Sequence, residues 1–125
     1  MPANAIKTVM FSNDMVTCLM LKKELEAADI SFIAFPTLKN ALNHVTENKP
    51  DIVITDLYSQ GKKGWELVET IRDNQETEKP KVIVFTANPD KVTADLRSLN
   101  KIVAVIEKPV LDAALFIEAI HKICK

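Results

Sequence analysis

Asp51-Ile52-Val53-Ile54-Thr55-Asp56 is the stretch that decides the fold. Its four central residues are all β-branched, stiff at χ1 and suited to a pleated surface. They do not alternate with polar residues, so the run reads as a strand covered on both faces, as in a parallel sheet. Such a strand delivers the Asp56 carboxylate to its carboxyl end, where open α/β sheets gather their sites. Residues 81–85 repeat the pattern and deliver Thr86, and residues 102–106 repeat it again before Glu107, Lys108 and Pro109. A carboxylate, a hydroxyl and an ammonium thus arrive at the ends of three strands. That trio suits a carboxylate that accepts a phosphoryl group.

Outward from these strands, apolar runs and helical patterns alternate. Residues 6–11 form a first strand, followed by a helix over 14–28. Its expected apolar stripe is Val16, Leu19, Met20 and Leu25, with Lys22, Lys23, Glu24 and Glu26 on the wet side. Residues 30–35 form a strand closed by Pro36, and Thr37 caps a helix to 46 built on Leu38, Ala41, Leu42 and Val45. Asn48, Lys49 and Pro50 break it. Gly61 and Gly64 lie in the loop after Asp56, and a helix over 65–73 turns Leu67, Val68 and Ile71 inward. Asn88-Pro89 reads as an N-cap and first-turn proline for a short helix over 90–99, and residues 111–123 form the last helix. Five strands alternating with five helices give a doubly wound five-stranded parallel sheet, a flavodoxin-like three-layer α/β sandwich. Residues 1–125 are expected to form a single domain.

Composition narrows the function. At 125 residues, 47% of them hydrophobic, the chain can build a real core, and a net charge of -1 leaves no footprint for nucleic acid or a membrane surface. No apolar run reaches the length of a bilayer span, and residues 1–7 lack the layout of a secretory signal. Cys18 and Cys124 have no metal-ligand spacing and read as reduced filler of a cytoplasmic protein. The turn Ser12-Asn13-Asp14 contains no glycine, which argues against dinucleotide and P-loop sites. With no nucleophile elbow and no strand-end histidine, no enzyme class is supported. His44 and His121 read as ordinary surface or boundary residues, Lys62-Lys63 as solvated loop charge, and Trp65 as packing.

The ordered pieces DIVITDL around Asp56, Gly64-Trp65-Glu66-Leu67, Thr86-Ala87 and Lys108-Pro109 resemble the receiver domain of two-component response regulators over essentially the whole chain. The resemblance implies that Asp56 is the phosphoacceptor. Thr86 and the Ala87 backbone N–H would hydrogen-bond the phosphoryl group, and Lys108, its backbone set by Pro109, would pair with it as a cation. It also implies a histidine kinase or histidine phosphotransfer protein as donor. A downstream protein target is expected on the face made by the fourth helix, fifth strand and fifth helix. Phosphoryl transfer to a carboxylate needs little beyond positioning and neutralisation of charge, which these residue types supply.

The chain departs from the family pattern where the metal is held. Receivers usually carry an acidic pair after strand one, and here those positions are Ser12 and Asn13, with Asp14 one residue late. Asn13, Asp56 and the Tyr58 carbonyl are the remaining oxygen ligands for Mg²⁺, and weak binding is expected because this hard cation depends on ligand charge. Val105 stands where many receivers have a switching aromatic, Gln60 where a proline is usual, and Lys101-Ile102 where a small turn is usual. Two readings therefore stand side by side. One is a receiver phosphorylated on Asp56 that signals through protein contacts. The other is a pseudo-receiver, a binding module in which Asp56 and Lys108 are a retained ion pair.

Overall fold

The computed structural model describes residues 5–56, 63–73, 80–87, 102–108 and 112–124. Its elements run β1 (Ile6–Phe11), α1 (Met15–Ala27), β2 (Ile30–Phe35), α2 (Leu38–Asn48), β3 (Ile52–Asp56), α3 (Lys63–Asp73), β4 (Lys81–Thr86), β5 (Ile102–Glu107) and α4 (Ala114–Ile123). All strand pairs are parallel, in the order β2-β1-β3-β4-β5. The result is a flavodoxin-like α/β sandwich. The chain leaves β1 for β2 on one side and returns to β3 on the other, which makes the β1/β3 boundary the topological switch point.

Strand alternation divides the core between the two faces. Met10, Ile52, Ile54, Ile83 and Phe85 pack with Leu21 and Leu25 of α1 and Phe116 and Ile120 of α4. Phe11, Val53, Val82 and Val84 pack on the other face with Ala41 and Val45 of α2 and Leu67, Val68 and Ile71 of α3. Asp51 aligns the amino ends of three strands. Its N–H donates to the Lys7 carbonyl at 2.9 Å, its carbonyl accepts from Lys81 N–H at 3.0 Å, and its Oδ2 accepts from Lys7 N–H at 2.9 Å.

Four helices are present among the described residues. The anticipated helix over 90–99, with Asn88 and Pro89, lies outside them, as does the segment 74–79. Of the stripe expected on α1, Leu25 is buried and Met20 packs against the core, but Val16 and Leu19 are 79% and 65% exposed while Cys18 and Leu21 turn inward. The first turns of α1 are apolar on nearly every side, so spacing there leaves the inward face undetermined, and Leu21 and Leu25, one turn apart, set it. The last helix starts at Ala114, later than expected. Asp112 Oδ1 accepts the Ala114 N–H at 2.9 Å, a local turn that competes with helix. At the other end of the fold, Lys49 closes α2 with φ of 47°.

Candidate functional site

Three strand ends build the site. Asp56 closes β3 and is 5% exposed, and Thr86 closes β4 and is fully buried. The register pairs Asp56 with Phe85 and Thr86 with Glu107. One residue past β5, the Lys108 N–H donates to the Thr86 carbonyl at 2.8 Å, extending the ladder and fixing where the lysine side chain departs. From there Lys108 Nζ donates to Asp56 Oδ2, forming an ion pair between β5 and β3.

Phe85 completes this arrangement, and sequence reasoning missed it. Lys108 Nζ stands 5.0 Å from the centroid of its ring, within cation–π range. Phe116 of α4 holds that ring edge-on, with centroids 5.4 Å apart and planes at 69°. The lysine is thus gripped by a carboxylate and by a ring that the core itself fixes. Strand alternation reveals that Phe85 is buried but not that a cation lies over it. The available signal was its place beside Asp56 in adjacent strands.

The turn after β1 forms the remaining wall. Ser12 is buried, its N–H donating to the Phe35 carbonyl at 3.2 Å and its Oγ accepting from Asp14 N–H at 3.0 Å. Asn13 is exposed. Asp14 is the N-cap of α1, with Oδ1 accepting the Thr17 N–H at 3.1 Å and Oδ2 the Thr17 hydroxyl at 2.7 Å. These two bonds hold its carboxyl below the ordinary value of 3.8, against a smaller opposing effect of burial, and the Lys108 ammonium adds a pull in the same direction. Asp14 therefore feels the charge of the site while its carboxylate is engaged by Thr17.

Among the described residues, the expected Mg²⁺ ligands amount to one carboxylate and one neutral amide. Of the expected ligands, Asp56 is paired with Lys108 and Asn13 offers an exposed neutral amide. Tyr58 lies outside the described residues, as do Gln60, Lys62 and Pro109. No cluster of three His, Cys, Asp or Glu side chains able to hold a metal occurs among the described residues. Ala87 is exposed just past β4, and Val105 is half-buried against the α2/α3 core.

The two histidines, Trp65 and the two cysteines take no part in the Asp56–Lys108 ion pair. His44 of α2 is half-buried with its ring 5.2 Å from Phe35, and burial lowers its pKa from 6.5. His121 is exposed on α4, and Trp65 is half-buried against the α2/α3 core. Cys18 and Cys124 are not joined in a disulfide, and burial pushes the Cys18 pKa up to about 11. Beside the site, Met15, Val16 and Leu19 form an exposed apolar face at the start of α1. No helix among the described residues is long and apolar enough to cross a membrane.

Residues 12–121 match the profile of the family described as response regulator receiver domain. Solved structures share the fold over nearly all of their length. A chemotaxis response regulator of Vibrio cholerae superposes with a TM-score of 0.83 at 15% identity, covering 96% of this chain and 99% of that one. A response regulator of Thermotoga maritima does so with a TM-score of 0.78 at 25% identity, covering 95% of this chain and 97% of that one. A second Thermotoga maritima response regulator, solved in complex with Mg²⁺ and BeF, gives 0.77 at 20% identity, covering 94% and 98%. Curated protein sequences give no match.

Proposed function

The chain belongs to the response regulator receiver family, a module of two-component signalling, and we propose that it accepts a phosphoryl group on Asp56 with little help from Mg²⁺. The observation that carries this reading is the ion pair between Lys108 and Asp56 at the carboxyl edge of the sheet, backed by the Phe85 ring. A fixed cation beside the accepting carboxylate neutralises charge that builds on the phosphoryl oxygens in transfer. As an Asp56 carboxylate oxygen bonds to phosphorus, the bond from phosphorus to the donor imidazole nitrogen breaks. The imidazole leaves with that electron pair. Lys108 stays with the new acyl phosphate, and the Thr86 hydroxyl and Ala87 N–H donate to its oxygens. No step is assigned to a metal, because Ser12 and Asn13 stand where anionic ligands would be needed.

In this reading residues 1–125 act as a single receiver domain without an enzymatic activity of its own. The donor is a histidine kinase or histidine phosphotransfer protein, and the apolar Met15, Val16 and Leu19 face supports contact with a helical partner beside Asp56. The downstream protein docks on the β5–α4 side, where a groove of about 430 Å³ is lined by Val105, Leu115, Ala119, Lys122 and Ile123 among others. Two cysteines that form no disulfide suit a reducing compartment, the cytoplasm.

Intact mass after incubation with a small-molecule phosphodonor, with and without Mg²⁺ and beside Asp56→Asn, tests the proposal. One added phosphoryl group, absent in the variant and only weakly responsive to Mg²⁺, is the expected result. A specific observation favours the pseudo-receiver as second reading: Asp14, the acid nearest to the missing pair, is committed to capping α1. Folded protein that takes no label under either condition selects that reading, with Asp56 and Lys108 as a structural pair.

A further inference from the structure

β2 is an end strand of the sheet, and its own sequence carries none of the features that normally blunt such an edge. Ile30-Ser31-Phe32-Ile33-Ala34-Phe35 contains no charge and no proline, and its six residues pair with β1 in an unbroken register without a bulge. Natural sheets blunt exposed edges with charges, prolines, bulges or very short strands. Ile33 is 41% exposed, although it lies in the middle of the strand. Among the described residues, no strand pairs with the outer side of β2.

We propose that this edge is closed by the same edge of a second copy, with β2 antiparallel to the partner's β2 about a two-fold axis at Ile33. An interface between identical patches must complement itself. In this register Ile33 meets the partner's Ile33, Ser31 faces the partner's Phe35, and Phe35 faces the partner's Ser31. A two-fold axis perpendicular to the sheet keeps all of them on one face, as cross-strand packing requires. The pairing stops short of Pro36, which has no N–H to donate, and of Asp29, whose φ of 62° leaves the strand conformation.

Charge selects the antiparallel arrangement. The exposed Asp29 precedes β2 and the exposed Lys39 follows it, whereas Glu26 is already paired with Lys22 at 3.0 Å. Antiparallel pairing brings the acidic end of each strand to the basic end of the other, whereas parallel pairing would oppose like ends. A groove of about 430 Å³ runs beside the strand, lined by Lys7, Ser31, Ile33, His44 and Asn48 among others. Being opposite Ser31, the partner's Phe35 sits at the mouth of this groove, which gives its ring room. Strand addition combining main-chain bonds with a side-chain pocket is an established mode of recognition. The dimer would be one continuous sheet, its two Asp56 residues at opposite edges and both β5–α4 grooves uncovered, so it stands independently of the phosphorylation reading.

Sedimentation equilibrium of the full chain, from low micromolar to near-millimolar concentration, tests the proposal. A monomer–dimer equilibrium is expected. Ile33→Lys, at an exposed position, should shift it at least tenfold towards monomer while leaving the circular dichroism spectrum in place, and with it the melting temperature at concentrations where the wild type is monomeric. Leu115→Lys, on the β5–α4 groove, should leave it unchanged. In a Cys124→Ser background, Ile33→Cys should form an intermolecular disulfide, since directly opposed antiparallel residues have Cα atoms about 4.5–5.5 Å apart. Ser31→Cys alone should not. A chain monomeric at every concentration overturns the proposal. So does a dimer that survives Ile33→Lys, one dissolved by Leu115→Lys instead, or cross-linking as efficient through Ser31→Cys as through Ile33→Cys.

Discussion

Glu24 Oε2 accepts the backbone N–H of Ala113 at 3.1 Å, so α1 caps the start of α4. Ala113 is the N-cap residue of α4 and offers no side-chain cap of its own. A carboxylate there also meets the positive end of the α4 dipole.

Glu24→Ala removes that acceptor and leaves an N–H at a partly buried helix start without it. The expected loss is about 1 kcal/mol of stability, in line with other lost caps. Urea denaturation measures it, and Glu24→Gln, which keeps an acceptor oxygen, should lose less. Amide exchange at Ala113 should accelerate in Glu24→Ala beyond what the global loss explains. Equal losses in the Gln and Ala variants would show that the hydrogen bond is not what matters.

Asp14 gives a prediction in pH. Its carboxyl is held below the ordinary 3.8, chiefly by the Thr17 hydroxyl and then by the Thr17 backbone N–H. A carboxyl with a lowered folded pKa contributes stability that is fully present above its unfolded pKa and is lost as pH falls through the folded one. Asp14→Ala should therefore cost about 1 kcal/mol at neutral pH. The gap between the two proteins should narrow below pH 3.8 as Asp14 protonates in the folded state too. Urea midpoints for both proteins across the acid range check the sign. A constant gap down to the acid limit would detach the cap from the ionised carboxylate.

Much of this architecture was legible in the sequence because buried parallel strands leave an unmistakable apolar run. β1 and β2 follow their expected bounds, and β4 and β5 extend one residue past theirs, to Thr86 and Glu107. The inward face of α1 was not legible. With Met15, Val16, Leu19 and Met20 all apolar, only tertiary contact selects Cys18 and Leu21 over Val16 and Leu19. At the candidate site, residue types at strand ends could be read, but their environment could not. The Phe85 ring near Lys108 and the Glu24 bond to Ala113 join residues far apart in sequence, and no local pattern encodes them.

Thr8 supplies a prediction about the core. It is 2% exposed in the middle of β1, and its Oγ1 has no hydrogen-bond partner among the described residues. A buried hydroxyl without a partner has been desolvated without compensation. Thr8→Val keeps the β-branched shape and strand preference while replacing the hydroxyl with a methyl group. It should stabilise the fold by about 1 kcal/mol, read as a higher urea midpoint at an unchanged slope. A destabilised variant would mean that water reaches Oγ1.

Restoring acids after β1 should turn the chain into a stronger metal binder, and the cost of doing so reports on the site. Ser12 is fully buried and its Oγ accepts the Asp14 N–H, so Ser12→Asp can still accept that bond but brings a charge into a dry position. Asn13 is exposed, and Asn13→Asp alone should barely change stability. The double variant should melt lower than the wild type without Mg²⁺, because two new carboxylates then crowd Asp56. Adding Mg²⁺ should raise its melting temperature progressively, as ligation to the folded state demands, while the wild type responds little. Phosphoryl labelling on Asp56 should rise in parallel. Tight Mg²⁺ binding without better labelling would show that Ser12 and Asn13 are not what limits the chemistry, and would turn attention to the Lys108 contact that already occupies Asp56 Oδ2.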